Sequence, residues 1–395
     1  MQLVFNVNKN LFKNCVAGFT FTTLFLLMNQ AAFAKDAVTL NADQIIDKPT
    51  TYDNETLNLT NGFMIKPGGI LTIENSTVNI IISPYTPYFA YLTSGELILK
   101  NDTFNVTTES ITPNPSAPTL YQLIKVDQGV VTATQSSFSV DNPFSVGFLT
   151  TNPTYPTKRF SITDNTIQNF HGGVYLANSD NAKVNGNSFL QVSLSNIFDM
   201  GSMGEFDNNI FTFPGNLSFG DAIDLVDSKG VNVTNNIIQS SSNLGIQVMG
   251  GQQIVIDNNK LTDGLSYAIS IKNSADVKSS RALALFMTAH PTLKRAMAPS
   301  SDVTVSNNFI AQNRYGLTAS GVDKLVVTNN MFIQKFSDDA SRQFWTNNDL
   351  LLATSFNITW TNNFYKEAFT QDNAGDNKRA LQYVPFPAHG GVVLP

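Results

Sequence analysis

The sequence predicts an all-β solenoid in which short strands of successive coils stack on one another. Three observations carry this. An Asn-rich motif recurs at a spacing near 22 residues. Short alternating apolar segments lie between its copies, separated by Gly, Asn, Asp and Ser. Charged residues make up only 14% of the chain, against about 25% in an average globular protein, so polarity rests on Asn, Ser and Thr, which suit strands and tight turns.

The motif is an apolar residue, two polar positions with Asn in the second or both, a spacer and another apolar residue. It reads Val184-Asn185-Gly186-Asn187-Ser188-Phe189 and returns as Phe206–Phe211, Val233–Ile238, Ile256–Leu261, Val305–Ile310, Val327–Phe332 and Trp360–Tyr365, with an earlier copy at Ile162–Ile167. The repeated polar position falls on Asn165, Asn187, Asn209, Asn236, Asn259, Asn308, Asn330 and Asn363, in steps of 22, 22, 27, 23, 49, 22 and 33. Weaker copies place Ser76, Asp102 and Ser136 in the same position. A second pattern precedes most of these Asn: a small residue, then apolar, outward and apolar, as in Gly173-Val174-Tyr175-Leu176, Ala222-Ile223-Asp224-Leu225 and Gly245-Ile246-Gln247-Val248.

A strand of three or four residues is not stable alone. Stacked coils supply it with backbone partners and a continuous core. Asn suits the repeated turn because it tolerates the left-handed backbone region and because its amide can bond from coil to coil. A leucine-rich repeat lacks support, since its fixed Leu and helical segments are missing, and a propeller needs a longer period.

This pattern resembles the right-handed parallel β-helix repeat family, found among pectin- and alginate-acting enzymes and periplasmic binding proteins. The resemblance spans Gly69 to Tyr365 and implies a right-handed parallel β-helix solenoid with capped ends. Residues 35–68 are then expected as an N-terminal cap and 366–395 as a C-terminal cap or tail, extended because of Pro385, Pro387 and Pro395. The 49-residue step contains a helical insertion, 279–298, rich in Ala, Leu and Met. Pro291 divides it into two expected short helices, with Leu283, Phe286, Leu293 and Met297 facing the solenoid. It reads either as a lid over a groove or as a loop covering one wall.

The first 34 residues read as an export signal. Lys9 and Lys13 precede an apolar run from Val16 to Met28, and Ala32-Phe33-Ala34 fits the small-x-small cleavage rule. The run is short of the roughly 20 residues that a bilayer span needs, so a secreted or periplasmic location is expected, with no membrane span in the mature chain. Cys15, the only cysteine, leaves with the signal, so no disulfide is expected. Cleavage removes two lysines and takes the formal charge from −6 to −8. With no basic stripe, nucleic acid is excluded as a partner.

The expected partner is a polysaccharide or other glycan. In the alignment of coils, Tyr175, Phe198, Asp224, Gln247, Ser270 and Thr318 form one outward row, and Ala177, Val226, Met249, Lys272 and Ser320 a second. Rings stack on sugar faces, while amides and carboxylates bond hydroxyls. An ordinary solvated face reads the same way. The densest acidic spot is Asp221, Asp224 and Asp227. A carboxylate pair can act as general acid and base in glycosidic cleavage, with Lys272 nearby. Asp221 could instead help to hold Ca²⁺, the sole cofactor considered, or the cluster could serve turn chemistry alone.

Two family comparisons bear on this spot. Asp221-Ala222-Ile223-Asp224 resembles part of the polygalacturonase signature, whose later Gly-His-Gly and Arg-Ile-Lys are absent here. Asp224-Leu225-Val226-Asp227 is similar to the Asp-Pro-His-Asp strand of mannuronan C5-epimerases, with Leu225 and Val226 in place of the Pro and the proton-transferring His. Val226 cannot act as a base. Three function classes therefore stand: a carbohydrate-binding β-helix, a polysaccharide hydrolase or lyase, and a surface adhesin or periplasmic scaffold. His171, His290 and His389 show no zinc spacing.

Overall fold

Each coil of the chain gives one strand to each of three sheets. In the computed structural model the strands of each sheet follow one another in steps of three, forming sheets of 13, 12 and 12 strands, with parallel pairing throughout. The molecule is a right-handed parallel β-helix with one short helix. The structure describes residues 37–111, 121–143, 145–155, 159–213, 220–273, 281–291, 293–295, 298–313, 315–333, 348–353 and 356–366. The expected signal (1–34) and the tail beyond Lys366 lie outside them.

The corner between the third and first sheets carries the Asn motif, and its two polar positions divide the work. The first adopts a left-handed backbone, with φ between 52° and 58° at Asn101, Gln135, Asp164, Asn208, Asn235, Asn258, Asn307, Asn329 and Asn362. Gly186 takes that place at φ 70°. The second position forms the ladder. Asn187 donates from both its backbone N and its Nδ2 to Asn209 Oδ1, at 3.0 Å each, and its Nδ2 also reaches Ile162 O at 2.7 Å. The pattern repeats through Asn209, Asn236, Asn259, Asn308 and Asn330 to Asn363. Ser76, Asp102 and Ser136 extend it toward the N-terminus: Ser76 N donates to Asp102 Oδ1 (2.9 Å), Asp102 N to Ser136 Oγ (3.0 Å) and Ser136 N to Asn165 Oδ1 (2.9 Å). Every coil thus hands a buried polar group to the next, which a buried turn requires.

Inside, alternate residues of the three sheets fill the bore. Phe63, Phe89, Phe104, Phe138, Phe148 and Phe170 are fully buried and run up the axis with successive ring centroids 4.7–5.6 Å apart. Burying each such side chain contributes about 1.5–3 kcal/mol.

Two expectations on boundaries need correction. The stretch read as an N-terminal cap already builds coils: Val38–Leu40, Gln44–Ile46, Pro49–Asp53, Thr56–Leu59 and Phe63–Ile65 are strands of the sheets. Leu57, Leu59, Phe63 and Ile65 point inward and are buried, so this segment obeys the coil pattern although its Asn motif is weak. The insertion forms one described helix, α1 (Arg281–Ala289), rather than two. The chain leaves it through a turn in which Leu293 N donates to His290 O (3.0 Å), and residues 293–295 are not helical; Pro291 supplies no N–H to continue the ladder of helical bonds. Leu283 and Phe286 are buried and Leu293 is half-buried against the same cluster, as expected; Met297 lies outside the described residues. Among the described residues no helix is long and apolar enough to cross a membrane.

Candidate functional site

Strand register in the second sheet brings the expected rows together. Tyr175 stands beside Phe198, Phe198 beside Asp224, Asp224 beside Gln247, Gln247 beside Ser270 and Ser270 beside Thr318. Two residues on, Ala177, Met200, Val226, Met249, Lys272 and Ser320 form the parallel row. Met200 fills a place that the sequence alignment left empty.

The row is not an exposed sheet, and this corrects the sequence reading. Phe198, Asp224, Gln247 and Ser270 are 0% exposed. The apolar stripe of α1 closes over the neighbouring groups: Ala282, Leu283 and Phe286 form one cluster with Ala177, Leu194, Phe198, Met200, Val226 and Met249. Phe286 lies 5.1 Å from the Phe198 ring, which lies 5.3 Å from Tyr175. The outward apolar residues of four coils needed such a partner, since together they would present a contiguous patch to water.

The acidic cluster divides in two. A Cβ at Gly220 would lie 1.2 Å from Leu194 O; glycine there lets the coils approach so that Asp221 and Ser195 flank Asp224. Ser195 Oγ donates to Asp224 Oδ2 (2.5 Å). Asp221 Oδ1 accepts from Asn243 Nδ2 (2.7 Å) and Leu244 N (2.8 Å). Burial, and then the charge of Asp224, hold the Asp221 carboxyl well above the usual carboxylate range. Two adjacent buried negative charges repel, which favours the protonated form of Asp221. Among the described residues no three acidic, His or Cys side chains are placed to hold a metal ion. Tyr175, whose hydroxyl accepts from Ser195 N (3.3 Å), is also held protonated by burial.

Asp227 belongs elsewhere. It sits in a left-handed corner (φ 52°) and receives Arg295 Nε at 3.1 Å and Nη2 at 3.3 Å. Both side chains are nearly buried, at 3% and 8% exposure. Lys272 is half-buried in the neighbouring row. Its carbonyl accepts from Gly250 N (3.1 Å) and Ser300 Oγ (2.5 Å). His171 lies in the turn before its strand, with Nδ1 2.8 Å from Ser193 Oγ.

Sequence reasoning missed the open half of the same row. Upstream of Tyr175 the register continues through Thr150, Lys125, Tyr91 and Met64, all exposed or half-exposed. Tyr91 donates to Asp127, which also receives Asn152 Nδ2 at 3.0 Å. Lys125 Nζ stands 4.8 Å above the Tyr91 ring, and Tyr88 packs beside it at 5.5 Å. Burial, then the bond to Asp127, push the Tyr91 hydroxyl up to about 12. Tyr155 is 41% exposed nearby, its charge acting on Tyr91. His290, stacked 4.6 Å from Phe286 at the end of α1, is lowered by burial and then by Lys125, so it marks the border between covered and open halves. The signal that could have found this half is the weak ladder series Ser76, Asp102 and Ser136, but irregular coil lengths there obscure the strand offset.

A family model described as right handed beta helix region matches residues 148–283. Among solved structures, the chain is similar to the alginate lyase AlyF-OU02 in complex with G6 (12% identity, TM-score 0.38, covering 88% of this chain and 84% of that one). It is also similar to the periplasmic alginate epimerase AlgG (9%, TM-score 0.41, 80% and 77%) and to a tailspike protein mutant of E. coli bacteriophage HK620 in complex with hexasaccharide (11%, TM-score 0.38, 80% and 57%). None of the curated proteins compared matches the chain.

Proposed function

We propose that this right-handed β-helix is an exported carbohydrate-recognition protein that holds a glycan along the open half of its second sheet. The observation that carries the reading is the row Tyr91, Lys125, Thr150 and Tyr175, set one coil apart, about 4.8 Å, and flanked by Tyr88, Asp127 and Tyr155. Half-exposed tyrosines give sugar rings an apolar face with a polar tip, and Asp127, Asn152 and Lys125 offer acceptors and donors for hydroxyls. Export rests on the leading apolar segment and its small-x-small end.

A glycan-array assay on the protein tests this, repeated on Tyr91→Ala and Lys125→Ala. Binding weakened at least tenfold by Tyr91→Ala is the expected result. Binding that ignores both substitutions refutes the assignment.

One observation favours a second reading, a polysaccharide hydrolase or lyase: the buried carboxyl pair Asp221 and Asp224, with Asp221 pushed toward its protonated form and Ser195 on Asp224. Two carboxyls whose surroundings push their proton affinities apart are the arrangement that acid–base cleavage uses. Product analysis of every array hit decides it. Products that vanish in Asp224→Asn make the protein an enzyme, and binding without products leaves it a recognition module.

A further inference from the structure

The covered row contains polar groups that its cover does not satisfy. Ser270 Oγ is buried without a hydrogen-bond partner, and so is Nη1 of Arg295, whose side chain is 3% exposed. Buried polar groups are otherwise almost always paired, and a guanidinium N–H left dry is costly. The cover itself is held in two ways. Leu283 and Phe286 rest on an apolar cluster of the sheet, and Arg295 grips Asp227 through two nitrogens. Asp227 is fixed to the scaffold, since its N–H donates to Met249 O (2.7 Å). The insertion is also separable from the scaffold, because the ladder bond from Asn259 to Asn308 bypasses it at 2.9 Å.

We propose that α1 and residues 293–295 form a movable cover latched by the Arg295–Asp227 pair, and that releasing it extends the saccharide-binding row from Tyr175 onto Phe198, Asp224, Gln247 and Ser270. The ligand class rests on the function proposed above; the moving cover does not. An oligosaccharide long enough to pass Tyr175 brings a hydroxyl to Ser270 Oγ, which lacks a partner beneath the cover, so ligand and cover compete for one surface.

Because Cys15 is the only native cysteine, single thiols report opening. In a full chain carrying Cys15→Ser, Val226→Cys places a thiol beneath the cover, and Val184→Cys places one in the solenoid interior; both sites are fully buried. The rate of iodoacetamide labelling is measured with and without Arg295→Gln. The expected result is labelling of Val226→Cys that is slow with the latch intact and at least tenfold faster without it, with Val184→Cys unchanged. Fast labelling with the latch intact, no acceleration, or equal acceleration at both sites overturns the cover. Run on the same glycan array, Arg295→Gln should bind longer members of a series more tightly than the parent does, and those glycans should slow labelling of Val226→Cys. Failure of that arm alone removes the ligand claim and leaves the cover. Loss of all array binding, with the thiol result intact, sinks the proposed function instead.

Discussion

Replacing Asn236 by Ala tests whether the ladder holds the coils together. Asn236 is fully buried. Its Oδ1 accepts from Asn209 N (2.9 Å) and Asn209 Nδ2 (3.0 Å), and its Nδ2 donates to Phe206 O (2.8 Å) and Asn259 Oδ1 (2.9 Å). Alanine removes all four. Asn209 Nδ2 keeps Val184 O, and Asn259 Oδ1 keeps the N–H of residue 236. Two backbone groups, Asn209 N–H and Phe206 C=O, lose these ladder bonds. An unsatisfied buried polar group costs about 1–3 kcal/mol, so the pair should cost about 4 kcal/mol. The neighbouring Asn235→Ala provides the contrast: that residue is exposed, its side-chain bonds to Asp207 (2.6 Å) and from Asn258 (2.6 Å) are open to replacement by water, and Ala there meets the left-handed strain of φ 56°, about 1–2 kcal/mol. Urea unfolding of both variants measures the difference, and hydrogen exchange at the Asn209 amide locates it. A solenoid can melt coil by coil, so the exchange reading guards against a local loss hidden in a global curve. A loss for Asn236→Ala no larger than that for Asn235→Ala would refute the ladder's role.

Three further outcomes follow from the same geometry. Burial raises Asp102 to about 7 and Asp199 to about 6, against a usual value of 3.8, and also raises Asp221. Folded pKa values above unfolded ones mean that the native state binds more protons, so stability is fully present below about pH 4 for these groups and is lost as pH rises through 6 to 7, about 1.4 kcal/mol for each unit of separation. A melting temperature that climbs as pH falls from 7.5 to 5 is expected; Asp102→Asn should flatten part of the slope, and an unchanged slope would sink the assignment to that group. Phe286→Ala should lower stability by about 3 kcal/mol and alter the near-ultraviolet dichroism of the Tyr175–Phe198–Phe286 stack; a spectrum identical to the parent's would mean that the helix does not rest there. Asp224→Asn, nearly isosteric, removes the like charge beside Asp221 and should stabilise the fold at pH 7; destabilisation of more than about 1 kcal/mol would show that the Asp224 bond to Ser195 outweighs the repulsion.

The fold was legible because one turn repeats. Left-handed Asn followed by a ladder Asn is a demand of every coil, so the same two letters return even where a step stretches to 49 residues. The register of Tyr175, Phe198, Asp224, Gln247, Ser270 and Thr318 followed from that count alone. Exposure did not. Outward residues of a solenoid alternate with inward ones whether or not something covers them, and the four apolar members Phe198, Met200, Val226 and Met249 were the sign that part of this face is an interior. Arg295 was equally silent, because an ion pair spanning 68 residues leaves no local spacing. The early coils were under-read for the reverse reason: Val38 to Ile65 keep the inward alternation but lack the paired Asn.

The position of the cover follows from how a solenoid tolerates insertion. The strands on either side of the insertion keep their partners: Tyr267 still pairs with Tyr315, Ile254 with Val303 and Ile256 with Val305. Coil-to-coil contacts are satisfied between neighbours only, so an excursion leaving one corner and re-entering at the next strand disturbs no hydrogen bond of the stack. The chain leaves after Lys272, at the end of a second-sheet strand, and returns at Ser300, in the third. That exit lies beside the outward rows, so even a short helix can fold back across them. Its place on the row also decides the chemistry available. Coils before Tyr175 present tyrosines and a lysine to water, whereas coils after it enclose the buried carboxyls of Asp199, Asp221 and Asp224. The same face therefore reads as a recognition surface at one end and as a closed acidic site at the other, and the helix between them sets which of the two a ligand meets first.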